Sequence, residues 1–432
     1  MYRWPAVSGC IIPCILVLAL TGCGGREGFR PVDPEAAVFW DRQTSETAAL
    51  LERIAAAFNA QHDGPPIRIE HTGGYSEIDR KVLASLRAGV LPALSVGYPG
   101  MTLQYIASGA VPPLDPLIGD PAVGLDEETL ADYVPAALET NRYPQHGNRF
   151  FSFPFAKSVL VMYYHAGLLR AADIDAPPAS WTEFLAQCRQ IKARTGKYAY
   201  AIDVDCSTVN GFIYSMGGTV YREGATHYDS PEAVRVFKLY ETIANEELGY
   251  QIAGGFDDQV SVSQGEAAFS FRSSAGRVQM AQVMAERMDD WGIARIPQAD
   301  PENPATVLYG PNFILFDTTR AQRRTAWAFV KHFTSVDVQV RWAIGSGYVP
   351  VRTSALADPR LKAFLAGAAQ NRIAFENLAF ARAEPNVAGW PRVRDLVEQT
   401  VAAILAGRIE AAPAAAELKA NADAALAEHA AP

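Results

Sequence analysis

"FPFAKSVLVMYYHAGLL", Phe153–Leu169, sets Lys157 and Ser158 side by side at the start of a run of β-branched and aromatic residues. From Val159 onward the run reads as a strand buried on both faces, as strands are inside an α/β layer. A buried strand cannot hold an unpaired ammonium, so either its first residues reach the surface or the charge has a partner.

Working outward, strands and helices alternate, which argues for α/β layers. "AVFWD" reads as a first strand. "TSETAALLERIAAAFNAQ" then aligns Leu50, Ile54 and Phe58 on a helix face with Leu51 beside them, behind Thr44 or Ser45 as a cap. "IRIEHT" alternates inward Ile67 and Ile69 with outward Arg68 and Glu70. A helix with Ile78, Val82 and Leu86 and the short strand "ALSVGY" follow. The proline-rich "VPPLDPLIGDP" reads as a surface connection without regular structure. Ser180 with Glu183 predicts a capping box, and Ser230 with Pro231 another helix start. "ATVLYGPNFILFD" predicts strands on both sides of "GPN", and "AQRRTAWAFVKHFTS" a helix with Trp327, Val330 and Phe333 inward. The alanine-rich end reads as a helix fraying outward.

At 432 residues the chain is too long for one ordinary core, and two domains are expected. A formal net charge of −9 argues against nonspecific nucleic-acid binding, which needs a basic field. The apolar "CIIPCILVLAL", Cys10–Leu20, is too short to span a bilayer and reads as a secretory leader. Leu20, Thr21, Gly22 and Cys23 then resemble the lipobox of bacterial lipoproteins. Cleavage before Cys23 would make residues 1–22 a signal peptide, Cys23 the lipidation site and residues 23–35 a tether. Only Cys188 and Cys206 remain, either paired in an oxidising compartment or as two isolated thiols, one in a helix and one in a loop.

The chemistry of an enzyme is missing from the pattern. There is no G-x-S-x-G elbow and no H-E-x-x-H, and the seven histidines form no close pairs. Asp203 and Asp205 could do acid–base work, but two acids in a polar loop more often form a solvated turn. No metal or cofactor is expected.

In order and spacing, "VFW", "AAAFNAQH", "LASLRAGVLPALSVGY", "FPFAKSVLVMYYHAGLLRAADI", "PPASWTEFLAQC", "SQGEAAFSF" and "WAIGSGYVPVR" resemble the extracellular solute-binding proteins of bacterial ABC importers. The nearest group is the one holding the sugar and sn-glycerol-3-phosphate binding proteins. Tyr75, Ser273 with Ser274, "GYVP" from Gly347 and "WPRVR" from Trp390 fit the glycerol-phosphate type. Two tryptophans of that type fall at Val204 and Ser207, an acidic residue near Pro99, and a phosphate-reading arginine near Asn386. The class of activity survives these departures; the ligand is left open.

The resemblance implies a two-lobed, type II periplasmic-binding-protein-like α/β fold with a hinge and an interlobe cleft. Lobe 1 would hold residues 36–155 and 310–347, and lobe 2 residues 156–309 and 348–432. Crossings are expected near Pro154–Lys157, Tyr309–Asn312 and Gly347–Pro350. Hinge closure would bring both lobes around one solute.

The expected ligand contacts are Tyr75 for stacking, Tyr98, and Lys157 with Ser158 where the chain first crosses. Arg272, Ser273 and Ser274 suit an anion, Gly310 allows close backbone approach, and Asn312 adds an amide. Tyr348 follows the third crossing, and Arg382 and Trp390 belong to a covering loop. Asp203, Asp205 and Asn210 replace the tryptophans and suit hydroxyls or a cationic headgroup. Each has a plainer reading as well, from a solvated lysine to packing between lobes.

The expected function is a membrane-tethered, monomeric lipoprotein delivering glycerol 3-phosphate, a glycerophosphodiester or a sugar to an ABC permease. Lys157 with Arg272 favours a phosphate-bearing ligand, with a neutral sugar as the alternative. A lipid-anchored hydrolase or an adhesin would be the readings of another class.

Overall fold

The computed structural model describes Met1 and residues 29–430. The expected signal peptide and the Cys23 anchor lie outside the described residues.

Two sheets organise the chain. In the first, strands run in the order Ile67–His71, Ala37–Asp41, Leu94–Gly97, Asn312–Leu315, Phe153–Pro154. The first three are parallel, and Asn312–Leu315 opposes its neighbours. Each parallel strand feeds a helix: Ser45–Asn59, Tyr75–Ala88 and Pro99–Ala107. Helix Ser45–Asn59 buries Leu51, Ile54 and Phe58. The sheet's other partner, helix Arg320–Phe333, buries Trp327, Val330 and Phe333 as its period predicts. Aromatic rings fill the space between. Phe39 meets Phe155 at 5.8 Å and Phe313 at 5.4 Å between centroids, and Phe155 meets Phe333 at 4.8 Å. The start of the chain joins this lobe: Phe29 donates its amide to Asp317, and Arg30–Pro31 lies parallel beside Val90–Leu91.

The quoted run supplies the middle of the second sheet. Strand Ser158–His165 opposes Ala267–Ser273 on one edge and Trp291–Ala294 with Thr306–Tyr309 on the other. Tyr198–Ile202, Gly249–Gln251 and Ala381–Ala383 complete the sheet. Val159 to Tyr163 are fully buried, because partners on both edges and helices such as Trp181–Thr195 and Cys206–Ser215 enclose the strand's surroundings. Ser180 caps the first of these helices through the Glu183 amide, and Ser230 caps Pro231–Asn245.

The chain passes between the sheets at Phe155–Lys157 and at Gly310–Pro311, and Gly347–Pro350 runs beside the first of these passages before Val351 and Thr353 bond back to Val134 and Asp132 of the first lobe. The Val349 amide donates to the Lys157 carbonyl at 2.8 Å. Gly310 has φ +123°, and a Cβ there would lie 2.1 Å from the Ala156 carbonyl oxygen. Only glycine lets these passages come so close.

Several expectations change. "VPPLDPLIGDP" contains a short helix, Asp115–Ile118, with Pro116 in the first turn, where its missing N–H costs nothing. The alanine-rich end does not fray. Helix Ala411–Ala430 buries Ala411, Ala414, Ala415, Leu418 and Ala422 against helices Trp390–Leu405 and Pro231–Asn245, because small side chains permit close axial approach. Tyr75 opens a helix, as does Cys206, which the sequence had put in a loop. Cys188 and Cys206 are both free and buried, and burial pushes both thiols up.

Candidate functional site

Open α/β sheets bind ligands beyond the carboxyl ends of their strands. Arg42 and Gln43 follow Ala37–Asp41, Tyr75 follows Ile67–His71 through the turn at Gly73 and Gly74, and Tyr98 follows Leu94–Gly97 as N-cap of the next helix. From the second sheet, Asp203 and Asp205 follow Tyr198–Ile202, Ser273 and Tyr309 end their strands, and Glu384 follows Ala381–Ala383. These ends meet across the cleft.

Tyrosines form its middle. The Tyr75 and Tyr98 rings lie 4.6 Å apart, and the Arg42 guanidinium sits 4.8 Å over Tyr75. Tyr348 stacks on Trp342 at 5.8 Å. Burial pushes the phenols up, Tyr98 to about 12 against the pull of Arg394, and Tyr309 well above its ordinary value despite the Ser273 hydroxyl beside it. All remain hydrogen-bond donors at neutral pH.

An acid–guanidinium network closes one side. Arg394 donates to both Glu384 oxygens at 2.9 and 3.0 Å and to Asp205 at 3.1 Å. Glu384 also accepts from Asn210 at 2.8 Å and Ser207 at 2.9 Å. Asp205 caps helix Cys206–Ser215 through the Thr208 amide. Asn210 is therefore a brace for Glu384, held in turn by the Tyr228 hydroxyl at 3.0 Å.

Two of the cations expected to face a solute are already engaged. The Lys157 ammonium, 1% exposed, donates to the Gly310 carbonyl at 2.9 Å and the Asn312 amide oxygen at 2.6 Å. It ties the first crossing to the second, and burial lowers its pKa to about 7 against the attraction of Glu384. The charge has a partner, and that partner is the hinge. Arg272 is held between Asp258 at 2.7 Å and Asp203 at 2.7 Å and also donates to Gly255. Burial lifts the Asp203 carboxyl to about 6 even with Arg272 beside it. Neither cation supplies the uncompensated charge that the sequence suggested.

Ser158 is buried in its strand opposite Tyr309. The Ser274 hydroxyl accepts from the Val159 amide at 3.4 Å. Arg382 is exposed, donates to the Gly218 carbonyl, and sits 5.7 Å from the Tyr214 ring. Trp390 is buried at the start of helix Trp390–Leu405.

Two hollows open between the lobes. One, about 220 Å³, is lined by Tyr98, Tyr309, Gly310, Glu384, Trp390 and Arg394. The other, about 270 Å³, is lined by Arg42, Gln43, Phe256, Arg272, Ser273 and Tyr348. A wider groove of about 950 Å³ runs past Arg142, Arg382 and Asn386. The lobes touch at its edge, where Asn386 donates to the Arg142 carbonyl at 2.7 Å. They touch again where Gly100 meets Pro391, closely enough that a Cβ at Gly100 would lie 2.4 Å from that ring. Among the described residues no group of three or more acidic, His or Cys side chains is placed to hold a metal, and no helix is long and apolar enough to cross a membrane.

Arg42, Gln43, Glu384 and Arg394 escaped the sequence reading. For the first two the signal was present, since "RQ" directly follows a predicted parallel strand. Glu384 and Arg394 stand ten residues apart and meet only because the chain turns into helix Trp390–Leu405.

Two α/β lobes, a hinge where the chain passes between them and a polar, tyrosine-lined cleft define a two-lobed binding protein. Residues 53–367 match the family model of the bacterial extracellular solute-binding proteins, and the chain belongs to that family. It is 22% identical over 398 residues to the sn-glycerol-3-phosphate-binding periplasmic protein UgpB of Yersinia pseudotuberculosis, covering 86% of this chain and 87% of the relative. Solved structures share the fold. UgpB of Mycobacterium tuberculosis in complex with glycerophosphocholine superimposes with a TM-score of 0.79 at 20% identity, covering 91% of this chain and 98% of that one. The GacH receptor of Streptomyces glaucescens, solved unliganded and with acarbose, gives 0.78 at 19%, covering 93% and 99%. The chain is an extracytoplasmic binding protein of a transport system and not an enzyme, and its family implies a small-molecule solute and an ABC permease as partners.

Proposed function

We propose that this protein is a lipid-anchored component of an ABC importer that closes around a small, hydroxyl- or oxyanion-bearing solute. Glycerol 3-phosphate, a glycerophosphodiester or a sugar fit that description. The observation that carries this reading is the convergence of Tyr98 with Tyr309 from the opposite sheet on a hollow of about 220 Å³ and of Tyr348 on one of about 270 Å³, with the Tyr75 ring packed against Tyr98. Buried phenols that stay protonated offer both a ring face and a donor, which suits a polar solute shut away from water. On this reading lobe 1 comprises residues 36–155 and 310–347 and lobe 2 residues 156–309 and 348–432, except that residues 351–354 bond to Asp132 and Val134 and go with lobe 1. The lipid is placed on Cys23, with the protein acting as a monomer outside the cell membrane.

A thermal-shift screen of the chain from residue 24 onward tests the reading. A ligand at a hundredfold excess over its Kd stabilises the native state by about 2.7 kcal/mol. Glycerol 3-phosphate, glycerophosphocholine and a panel of mono- and disaccharides are the probes. If none moves the melting temperature, the importer reading fails. Mass spectrometry of the protein from membranes tests the anchor, which requires an acylated Cys23 as the first residue.

A further inference from the structure

We infer that Arg42 and Gln43 form an oxyanion subsite of the cleft, taking the phosphate or carboxylate of a small organic solute. The inference rests on the solute-binding reading above and assigns its charge recognition to two residues that follow the first strand.

The cleft's cations are unequal. Lys157 is spent on the hinge, Arg272 on Asp203 and Asp258, and Arg394 on Glu384 and Asp205. Among the described residues, no carboxylate lies within 4.0 Å of the Arg42 guanidinium to form an ion pair. Its neighbours are instead the rings and hydroxyls of Tyr75, Tyr348 and Tyr98. A guanidinium without an acid, half-buried among phenols, suits an oxyanion in a bidentate fork.

Unpartnered donors point the same way. The Arg42 Nε and Gln43 Nε2 groups are both buried with no acceptor in good hydrogen-bond geometry, only the Tyr75 and Tyr348 hydroxyls standing near these two side chains, and Gln43 is 5% exposed. Buried donors are ordinarily paired, so two on consecutive residues lining one hollow call for an acceptor from outside the chain. The adjoining Asp41 forms no ion pair with Arg42: one of its oxygens accepts from the Gln43 amide at 2.6 Å and faces His71 at 3.6 Å.

The same hollow limits the charge it can take. Arg272 brings two carboxylates with it, and Glu46 stands exposed on the rim. A solute with one anionic group at Arg42 fits; a second anionic group reaching toward Asp203 would be repelled.

Isothermal titration of the wild type, Arg42→Gln, Arg42→Lys and Gln43→Leu tests this, with glycerol 3-phosphate, glycerate, glycerol, galactose and maltose as probes. Glycerol 3-phosphate and glycerate separate a phosphate from a carboxylate source. The expected result is that at least one of these oxyanions binds. Arg42→Gln then weakens it by about tenfold to a hundredfold, the loss of a charged hydrogen bond. Arg42→Lys recovers part of the loss, and any neutral ligand changes by less than about threefold. Melting curves of the unliganded variants show whether each is folded. Binding of a sugar but of neither oxyanion overturns the subsite while leaving the solute-binding reading intact. Equal losses for charged and neutral ligands overturn it as well. No binding by any probe would instead strike the solute-binding reading itself.

Discussion

Replacing Lys157 by methionine keeps the length of the side chain and removes a charge that the hinge encloses. Burial lowers the ammonium from its ordinary 10.5 to about 7 in the folded protein. Between those values the unfolded chain binds more protons at this site than the native one, so stability rises with pH across the interval. A single group shifted in this way adds about 2 kcal/mol to unfolding free energy between pH 7 and pH 9. Below pH 7 both states are protonated and the gain disappears. The assay is urea unfolding of wild type and Lys157→Met at pH 6, 7, 8 and 9. Titration of every other group is common to both proteins and cancels in the difference. The wild type should gain about 2 kcal/mol on the variant from pH 7 to pH 9. A flat difference would refute the enclosed ammonium and return Lys157 to the solvent or to the solute.

Other outcomes follow from contacts already described. Gly100→Val should wedge the rim against Pro391, giving a larger radius of gyration by small-angle X-ray scattering and weakening ligand binding by at least about tenfold; unchanged scattering and affinity would mean that this contact is not part of closure. Gly310→Ala meets both a backbone clash with Ala156 and a φ of +123°, so a loss of about 3 kcal/mol or more is expected in urea unfolding. Arg394→Met leaves Glu384 and Asp205 without their cation and should cost about 3 kcal/mol, with Glu384→Gln restoring part of it in the double variant. Cys188 and Cys206 should resist a thiol reagent in the native protein and react once urea unfolds it; early reaction of either would contradict their burial.

The architecture was legible where elements carried their own period and, at Ser180 and Ser230, their own cap. Val159 to Tyr163 announced a doubly covered strand, and "LYGPNF" announced two strands broken by a turn, which the structure sets in two different sheets. Charge partnership was not legible in the same way. Lys157 finds its acceptors 153 and 155 residues away, and Arg272 finds Asp203 69 residues away. Sequence spacing carries no trace of such pairings, so a lysine in a hinge and a lysine facing a solute read alike. Composition misled at the alanine-rich end for a related reason. A helix of small residues looks weakly amphipathic alone, and its value comes from the flat surface it offers to two neighbours.

The attachment of Phe29 and Arg30–Pro31 to the first lobe bears on how cargo is handed over. Five residues lie between Cys23 and Phe29, and even fully extended the six Cα-to-Cα steps reach only about 20 Å. An acylated Cys23 would therefore hold the first lobe close to the bilayer as a stationary jaw. The second lobe, joined covalently only through the hinge, would perform the swing, so the mouth of the cleft would sweep through an arc near the membrane plane while its base stayed in place.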